Sequence, residues 1–218
     1  MNRLLRLTLL LGIPLLLVAT GGLIYKDWFA FHEPTDPRLE LLLIAQQDTY
    51  TMNYGGMSPA DYRHIVTSTQ GTPELYCKRP TSSPVDFRLE IRNKSDENVE
   101  FWLENDFPMQ YLTLTLQGNG AVLLVYDYGV FRRGYPKPSE HVSLKAGETY
   151  TQSITILKTM VTRVTANEWY WTKPGVYNLT AAVQLASSPG SEQSSSRQEP
   201  VLRSPPVQFK VLDAEPTP

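Results

Sequence analysis

The strictest constraint in this chain is an alternation. Val85, Phe87, Leu89 and Ile91 take turns with Asp86, Arg88, Glu90 and Arg92, a period of two that suits a strand with one face buried and one in water. A helix would smear that pattern around its circumference. The pattern recurs downstream: Leu112, Leu114 and Leu116 alternate with Thr113 and Thr115, and Tyr177, Leu179, Ala181 and Val183 share one face of a run from Val176 to Leu185. Further strands are expected at Leu39–Ile44 (continuing toward Asn53), Val99–Leu103, Ala121–Tyr126, His141–Leu144, Thr149–Leu157, Trp169–Thr172 and Val207–Leu212. Eight to ten short strands separated by Gly and Pro turns predict a mainly β fold, an antiparallel immunoglobulin-like β-sandwich, with a barrel as the alternative.

Turn chemistry links these runs. Asn93-Lys94-Ser95-Asp96 reads as a polar turn and Lys145-Ala146-Gly147-Glu148 as another. Lys173-Pro174-Gly175 reads as a hairpin turn, and so does Asn119-Gly120, widened by Gly118. Each is expected to join two strands that pair with each other. One helix start stands out: Ser58-Pro59-Ala60-Asp61 offers Ser at the N-cap, Pro at the first helical position and Asp in the first turn, with a helix running to about Val66. Residues 67–84, with Pro73, Pro80 and Pro84, read as an irregular crossing.

Ahead of this domain lies a different kind of segment. Arg3 and Arg6 precede 19 residues, Leu7 to Tyr25, that carry no charge. As a helix they would span about 28 Å, close to the roughly 30 Å of bilayer hydrocarbon. They suit an uncleaved anchor, with residues 7–25 in the membrane, Arg3 and Arg6 inside and the C-terminal domain outside the cytoplasm. A signal peptide cut after Gly21, leaving a secreted or periplasmic protein, is the alternative. The domains are therefore 1–28, anchor or signal; 29–37, linker; 38–213, β-sandwich with a Ser-rich flexible loop at 187–200; and 214–218, a disordered tail. Loss of residues 1–28 removes three basic groups and one acidic, so the net charge of −2 becomes −4 on the exported part. That charge and a pI of about 5.9 argue against a nucleic-acid partner. Cys77 is the sole cysteine, so the sandwich is expected to stand without an internal disulfide.

Five strings across 84–212 carry a likeness: PVDFRLEIRNKSDENVEF, LTLTLQGNGAV, VSLKAGETYTQSI, WYWTKPGVYNLTAAV and SPPVQFKV. Their order resembles that of uncharacterised exported immunoglobulin-like β-sandwich proteins of planctomycete-type bacteria. More distantly, Asn93-Lys94-Ser95, Gly147-Glu148 and Pro174-Gly175-Val176-Tyr177 resemble the BsuPI-type proteinase inhibitor domain. The first likeness implies a single exported sandwich and no activity; the second implies an inhibitory alternative.

Chemistry-bearing motifs are sparse. His32, His64 and His141 have no partner at metal-ligand spacing, and no hydrolase string or cofactor fingerprint occurs, which leaves an unrecognised hydrolase as the least favoured reading. Gly118-Asn119-Gly120 leads into strand-like residues rather than the helix a phosphate loop requires. Asp96, Glu97, Glu100, Glu104 and Asp106 could gather for Ca²⁺ but lack an EF-hand spacing. Trp169 and Trp171 are expected in the core with Tyr170 at the surface. The candidate contact surface is the loop 127–138, where Tyr128, Phe131, Arg132, Arg133 and Tyr135 combine aromatic and guanidinium groups as binding hot spots do. The expected function is a non-catalytic, envelope-anchored binding or structural module for a protein or cell-envelope partner.

Overall fold

A computed structural model describes residues 35–68, 80–103, 111–127, 140–160, 165–186 and 200–214. The chain divides into two units, Met1–Thr35 and Asp36–Pro218. Everything below concerns the second unit; Cys77 and residues 1–34 lie outside the described residues.

In chain order the elements are β1 (Leu39–Ala45), β2 (Thr49–Thr51), α1 (Pro59–Ser68), β3 (Phe87–Asn93), β4 (Val99–Leu103), β5 (Leu112–Gly118) and β6 (Ala121–Asp127). They continue as β7 (Glu140–Leu144), β8 (Thr149–Ile154), β9 (Lys158–Met160), β10 (Thr165–Trp171), β11 (Gly175–Gln184), β12 (Val201–Arg203) and β13 (Val207–Leu212). The fold is mainly β, as the alternation predicts. One sheet runs β1-β3-β8; a second, larger one has β11 at its centre, with β5 on one edge, β13 and β12 sharing the other, and β2 beyond β13; a third runs β6-β10-β9; and β4 pairs with β7. All pairs are antiparallel except β13 with β2.

The buried faces of β3, β5 and β11 are the ones the sequence assigns. Phe87, Leu89 and Ile91 of β3, Leu112, Leu114 and Leu116 of β5, and Tyr177, Leu179, Ala181 and Val183 of β11 are all buried. Tyr50, Phe87, Trp171, Tyr177 and Phe209 form a mutual aromatic cluster with ring centroids 5.3 to 6.2 Å apart. The cluster joins the first sheet (Phe87) to the second (Tyr50, Tyr177, Phe209) and to β10 (Trp171). Edge-on and offset rings add to the area each buries.

The turns fall where the sequence puts them, yet none joins a pair of partners. The 94–98 and 145–148 turns face each other across one long antiparallel ribbon: Phe87↔Ile154 through Arg92↔Thr149 on one side, Val99↔Leu144 through Leu103↔Glu140 on the other. Both strands bend together at this point. The side chain of Asn93, fully buried, fastens the bend. Its Nδ2 donates to the carbonyls of Glu97 (2.7 Å), Leu144 (3.0 Å) and Lys145 (3.0 Å), and its Oδ1 accepts from the N–H (2.9 Å) and hydroxyl (2.7 Å) of Ser95. The bend is sharp: Glu140 and Tyr150 would stand about 33 Å apart on a straight strand, but Tyr150 Oη donates to Glu140 Oε2 at 3.3 Å.

At Asn119-Gly120 the chain likewise leaves one sheet for another, because β5 pairs with β11 while β6 pairs with β10. The expected hairpin is instead an arch. A Cβ at Gly118 would lie 2.5 Å from the Tyr177 ring, and one at Gly120, whose φ is +119°, would lie 3.0 Å from its hydroxyl. The two glycines thus make room for a tyrosine whose Oη donates to the Lys173 carbonyl at 2.6 Å. That bond closes the second arch, from β10 into β11, four residues upstream of the ring.

Two further details complete the frame. Ser204-Pro205-Pro206 interrupts the strand formed by β12 and β13, since proline donates no ladder bond; Ser204 compensates, its Oγ accepting from Ala181 N–H while its own N–H donates to Ala181 O, both at 2.9 Å. Helix α1 starts as read, with Ser58 Oγ accepting from Asp61 N–H at 3.1 Å. Tyr170, expected at the surface, is buried with Trp171, whereas Trp169 is only half-buried. The reason is that both faces of β10 are covered. Tyr170 Oη donates to Pro80 O, and Tyr62 of α1 reaches the Trp171 carbonyl, so α1 and Pro80 cover the face taken for solvent.

Candidate functional site

Several strand ends meet at one place. Leu103 pairs with Glu140; Trp102 and Ala186 exchange backbone hydrogen bonds at 2.9 and 3.0 Å; Gln184 N–H donates to Tyr111 O at 2.9 Å and Leu185 N–H to Pro200 O at 3.0 Å. Leu103, Tyr111, Glu140, Ala186 and Pro200 are five of the six described residues that flank 104–110, 128–139 and 187–199; the sixth, Asp127, pairs instead with Thr165 of β10. The contact residues expected from the sequence, Tyr128, Phe131, Arg132, Arg133 and Tyr135, lie outside the described residues, and so do Glu104 and Asp106. Their segment joins the frame at Glu140, the first residue of β7.

On the outer face of the β4–β7 ribbon sits a cluster the sequence reading passed over. Trp102 lies directly across from His141 with ring centroids 4.6 Å apart, and His141 Nε2 is 3.6 Å from Glu100 Oε2. The side chains of His141 and Glu100 are 42% and 66% exposed, so the pair has solvent on its open side. Alternation forces this arrangement. Val99, Phe101 and Leu103 face the core, so Glu100 and Trp102 must face out. The available signal was the large aromatic at an outward position of a strand that is otherwise correctly phased.

Beneath that surface, on the inside of the bend, Tyr111 Oη donates to Gln152 Oε1 and Tyr150 Oη to Glu140 Oε2. Burial pushes the Tyr111 hydroxyl well above the ordinary phenol range, with the neighbouring Tyr150 hydroxyl adding to the effect; burial and then the Glu140 carboxylate raise Tyr150 as well. These phenols stay protonated at any ordinary pH and serve as hydrogen-bond donors that tie Tyr111, just before β5, to β8 and β8 to the start of β7. Rigid support under a half-buried aromatic with an exposed imidazole and carboxylate suits recognition of another surface, because anchors held in place lose little freedom on contact.

Elsewhere the candidate chemistry resolves into support. Gly118-Asn119-Gly120 packs on Tyr177, the Asn93-Ser95 and Tyr177 motifs are the corner fastenings above, and Gly147-Glu148 joins the first of them, Gly147 N–H donating to Asn93 O at 3.1 Å and Asn93 N–H to Glu148 O at 2.9 Å. His64 lies on the exposed face of α1, its Nδ1 3.3 Å from Ser68 Oγ. Among the described residues no three His, Cys, Asp or Glu side chains are grouped to hold a metal ion. Likewise among the described residues, no helix is long and apolar enough to cross a membrane; the 7–25 run is not among them. Comparison with protein-family models and with curated proteins finds no match to this chain.

Proposed function

We propose that this chain is a non-catalytic binding module, an immunoglobulin-like sandwich anchored in the cell envelope by residues 7–25 and exposed outside the cytoplasm. The observation that carries the reading is the half-buried Trp102 tilted against the exposed His141 beside Glu100, on a ribbon stiffened from below by Asn93 and the tyrosine pair. The contact surface then combines that cluster with Tyr128, Phe131, Arg132, Arg133 and Tyr135, whose segment enters β7 two residues before His141.

Strand order supports the finer fold. β1-β3-β8 and β5-β11-β13 match the A-B-E and C-F-G halves of an immunoglobulin domain, and the Tyr177 bond to a carbonyl four residues upstream at the start of β11 matches the tyrosine corner of that fold. The resemblance to exported planctomycete-type sandwiches is in keeping with this order. Motifs shared with the BsuPI-type inhibitor domain occupy structural corners, so they favour a common framework rather than an inhibitory loop.

Affinity capture from native envelopes, run in parallel with the full-length chain and a Trp102→Ala/His141→Ala variant, tests the reading. A partner held by the native chain and reduced at least tenfold by a variant of unchanged melting temperature supports it, since the removal of a central aromatic anchor typically costs about 2 kcal/mol or more. Equal retention by both proteins, or potent inhibition of a protease panel by both, would refute it.

A further inference from the structure

Asparagine is a thermolabile residue, because its side-chain Cγ can be attacked by the backbone nitrogen of the residue that follows. The attack needs an open nitrogen, an uncommitted carboxamide and no bulky side chain between them. The described asparagines other than Asn119 each fail one of these conditions. Asn93 is fully buried with its carboxamide bound, and Asn53 Oδ1 accepts from Gly55 N–H at 2.9 Å. Asn167 and Asn178 lie in strands paired on both sides, so ladder bonds occupy the N–H groups that follow them. Asn98 precedes the β-branched, buried Val99.

Asn119-Gly120 meets all three. Asn119 is exposed, and it is the one asparagine of the chain followed by glycine. Among the described residues neither its carboxamide nor the Gly120 N–H has a hydrogen-bond partner. Gly120 is held from its other side, where Thr172 N–H and Oγ1 donate to its carbonyl at 2.8 and 3.0 Å. Nor is this glycine replaceable: its φ is +119°, and a Cβ would lie 3.0 Å from the Tyr177 hydroxyl and 3.1 Å from the Lys173 backbone nitrogen. The packing of the arch thus obliges the chain to keep a reactive pair at its tip. We infer that Asn119 is a site of spontaneous modification in the folded protein, converting to isoaspartate. The Gly120 nitrogen loses its proton and bonds to Asn119 Cγ; the Cγ–Nδ2 bond breaks, ammonia carries the proton away, and a succinimide ring remains. Water then opens the ring. Cleavage at Cγ gives aspartate, whereas cleavage at the former peptide carbonyl leaves Gly120 attached through Cγ as isoaspartate. That second product adds a methylene to the backbone and puts a carboxylate where the Asn119 carbonyl stood, 3.4 Å from Tyr177 Oη. Gly118 and Gly120 leave no slack around Tyr177, since their Cβ positions fall 2.5 and 3.0 Å from it, so the arch loosens.

Peptide mapping of the full-length chain in mild detergent, incubated in mildly alkaline buffer at physiological temperature, tests this, with the urea-unfolded chain as reference. Isoaspartate at 119, read by enzymatic methyl transfer to the new carboxylate, should accumulate in the folded chain within tenfold of the unfolded rate. It should also form at least tenfold faster there than at Asn53, Asn167 or Asn178. Asn119→Gln, whose imide ring closes far more slowly, should abolish the signal and keep the native melting temperature. The purified isoaspartyl fraction should melt below fresh protein, whereas Asn119→Asp, with the charge but no added methylene, should melt with it. Modification of Asn119 more than tenfold slower folded than unfolded, or an isoaspartyl fraction of unchanged melting temperature, would overturn the inference.

Discussion

A few side chains carry much of this structure. Asn93 makes five hydrogen bonds from a fully buried site, and Asn93→Ala leaves the carbonyls of Leu144 and Lys145 without that donor. At about 1 kcal/mol for each buried bond lost, the substitution should cost roughly 3 kcal/mol in denaturant unfolding. Gly118→Ala should cost on the order of 1 to 3 kcal/mol, because the added methyl falls within 2.5 Å of the Tyr177 ring; Tyr177→Phe keeps the ring and should lose only the hydroxyl bond, about 1 kcal/mol. Alkali provides a third check. Burial raises the hydroxyls of Tyr62 and Tyr111, and Tyr54, also desolvated and donating to Asp213 at 2.7 Å, is pushed up to about 12. These groups hold their protons more tightly folded than unfolded, so their contribution is complete below about pH 10. It should fall as pH rises through the folded values. Stability measured from pH 9 to 12 should therefore decline from about pH 10 upward; a flat profile would contradict the burial of these phenols. Asn93 and Gly118 are visible in the sequence as turn residues, and Tyr177 as an inward strand residue just after the Lys173-Pro174-Gly175 turn. Their distant partners are not, because Asn93 also bonds Leu144 and Lys145, and Gly118 packs on Tyr177, each pairing joining segments far apart in the chain.

Elements were legible in phase and location but not in partnership. Period-two alternation records which face of a strand avoids water, and turn residues record where the backbone reverses or bends. Neither specifies what lies alongside. Thus β3 and β4, read as a hairpin, are successive parts of one side of a bent ribbon, and β7 and β8 form the other side. Tyr170 went astray for a related reason: its face of β10 is covered, and the cover comes from α1 and Pro80, remote in sequence. Two element-level outcomes follow. Ser204→Ala removes the acceptor that replaces a ladder bond opposite Ala181, and should lower stability by roughly 1 to 2 kcal/mol. Ser58→Ala removes the helix cap and should cost about 1 kcal/mol, measured by the same unfolding titration.

At the scale of the molecule, nearby corner fastenings leave one surface with its aromatic group outward. The β4–β7 ribbon is bent until Glu140 reaches Tyr150, its inner face packs on the core, and its outer face presents Trp102, His141 and Glu100 next to strand ends that gather from β4, β5, β7, β11 and β12. The sequence placed a contact surface in the segment leading to β7 and missed the anchor beside it, because the pairing of Trp102 with His141 joins residues 39 positions apart. Site-specific photo-cross-linking in intact envelopes tests the contact surface most directly. A photoreactive residue in place of Trp102 should yield a discrete adduct with a partner, whereas the same residue at Thr151 should yield none. Adducts of equal intensity at both positions, or an adduct at 151 alone, would contradict the account.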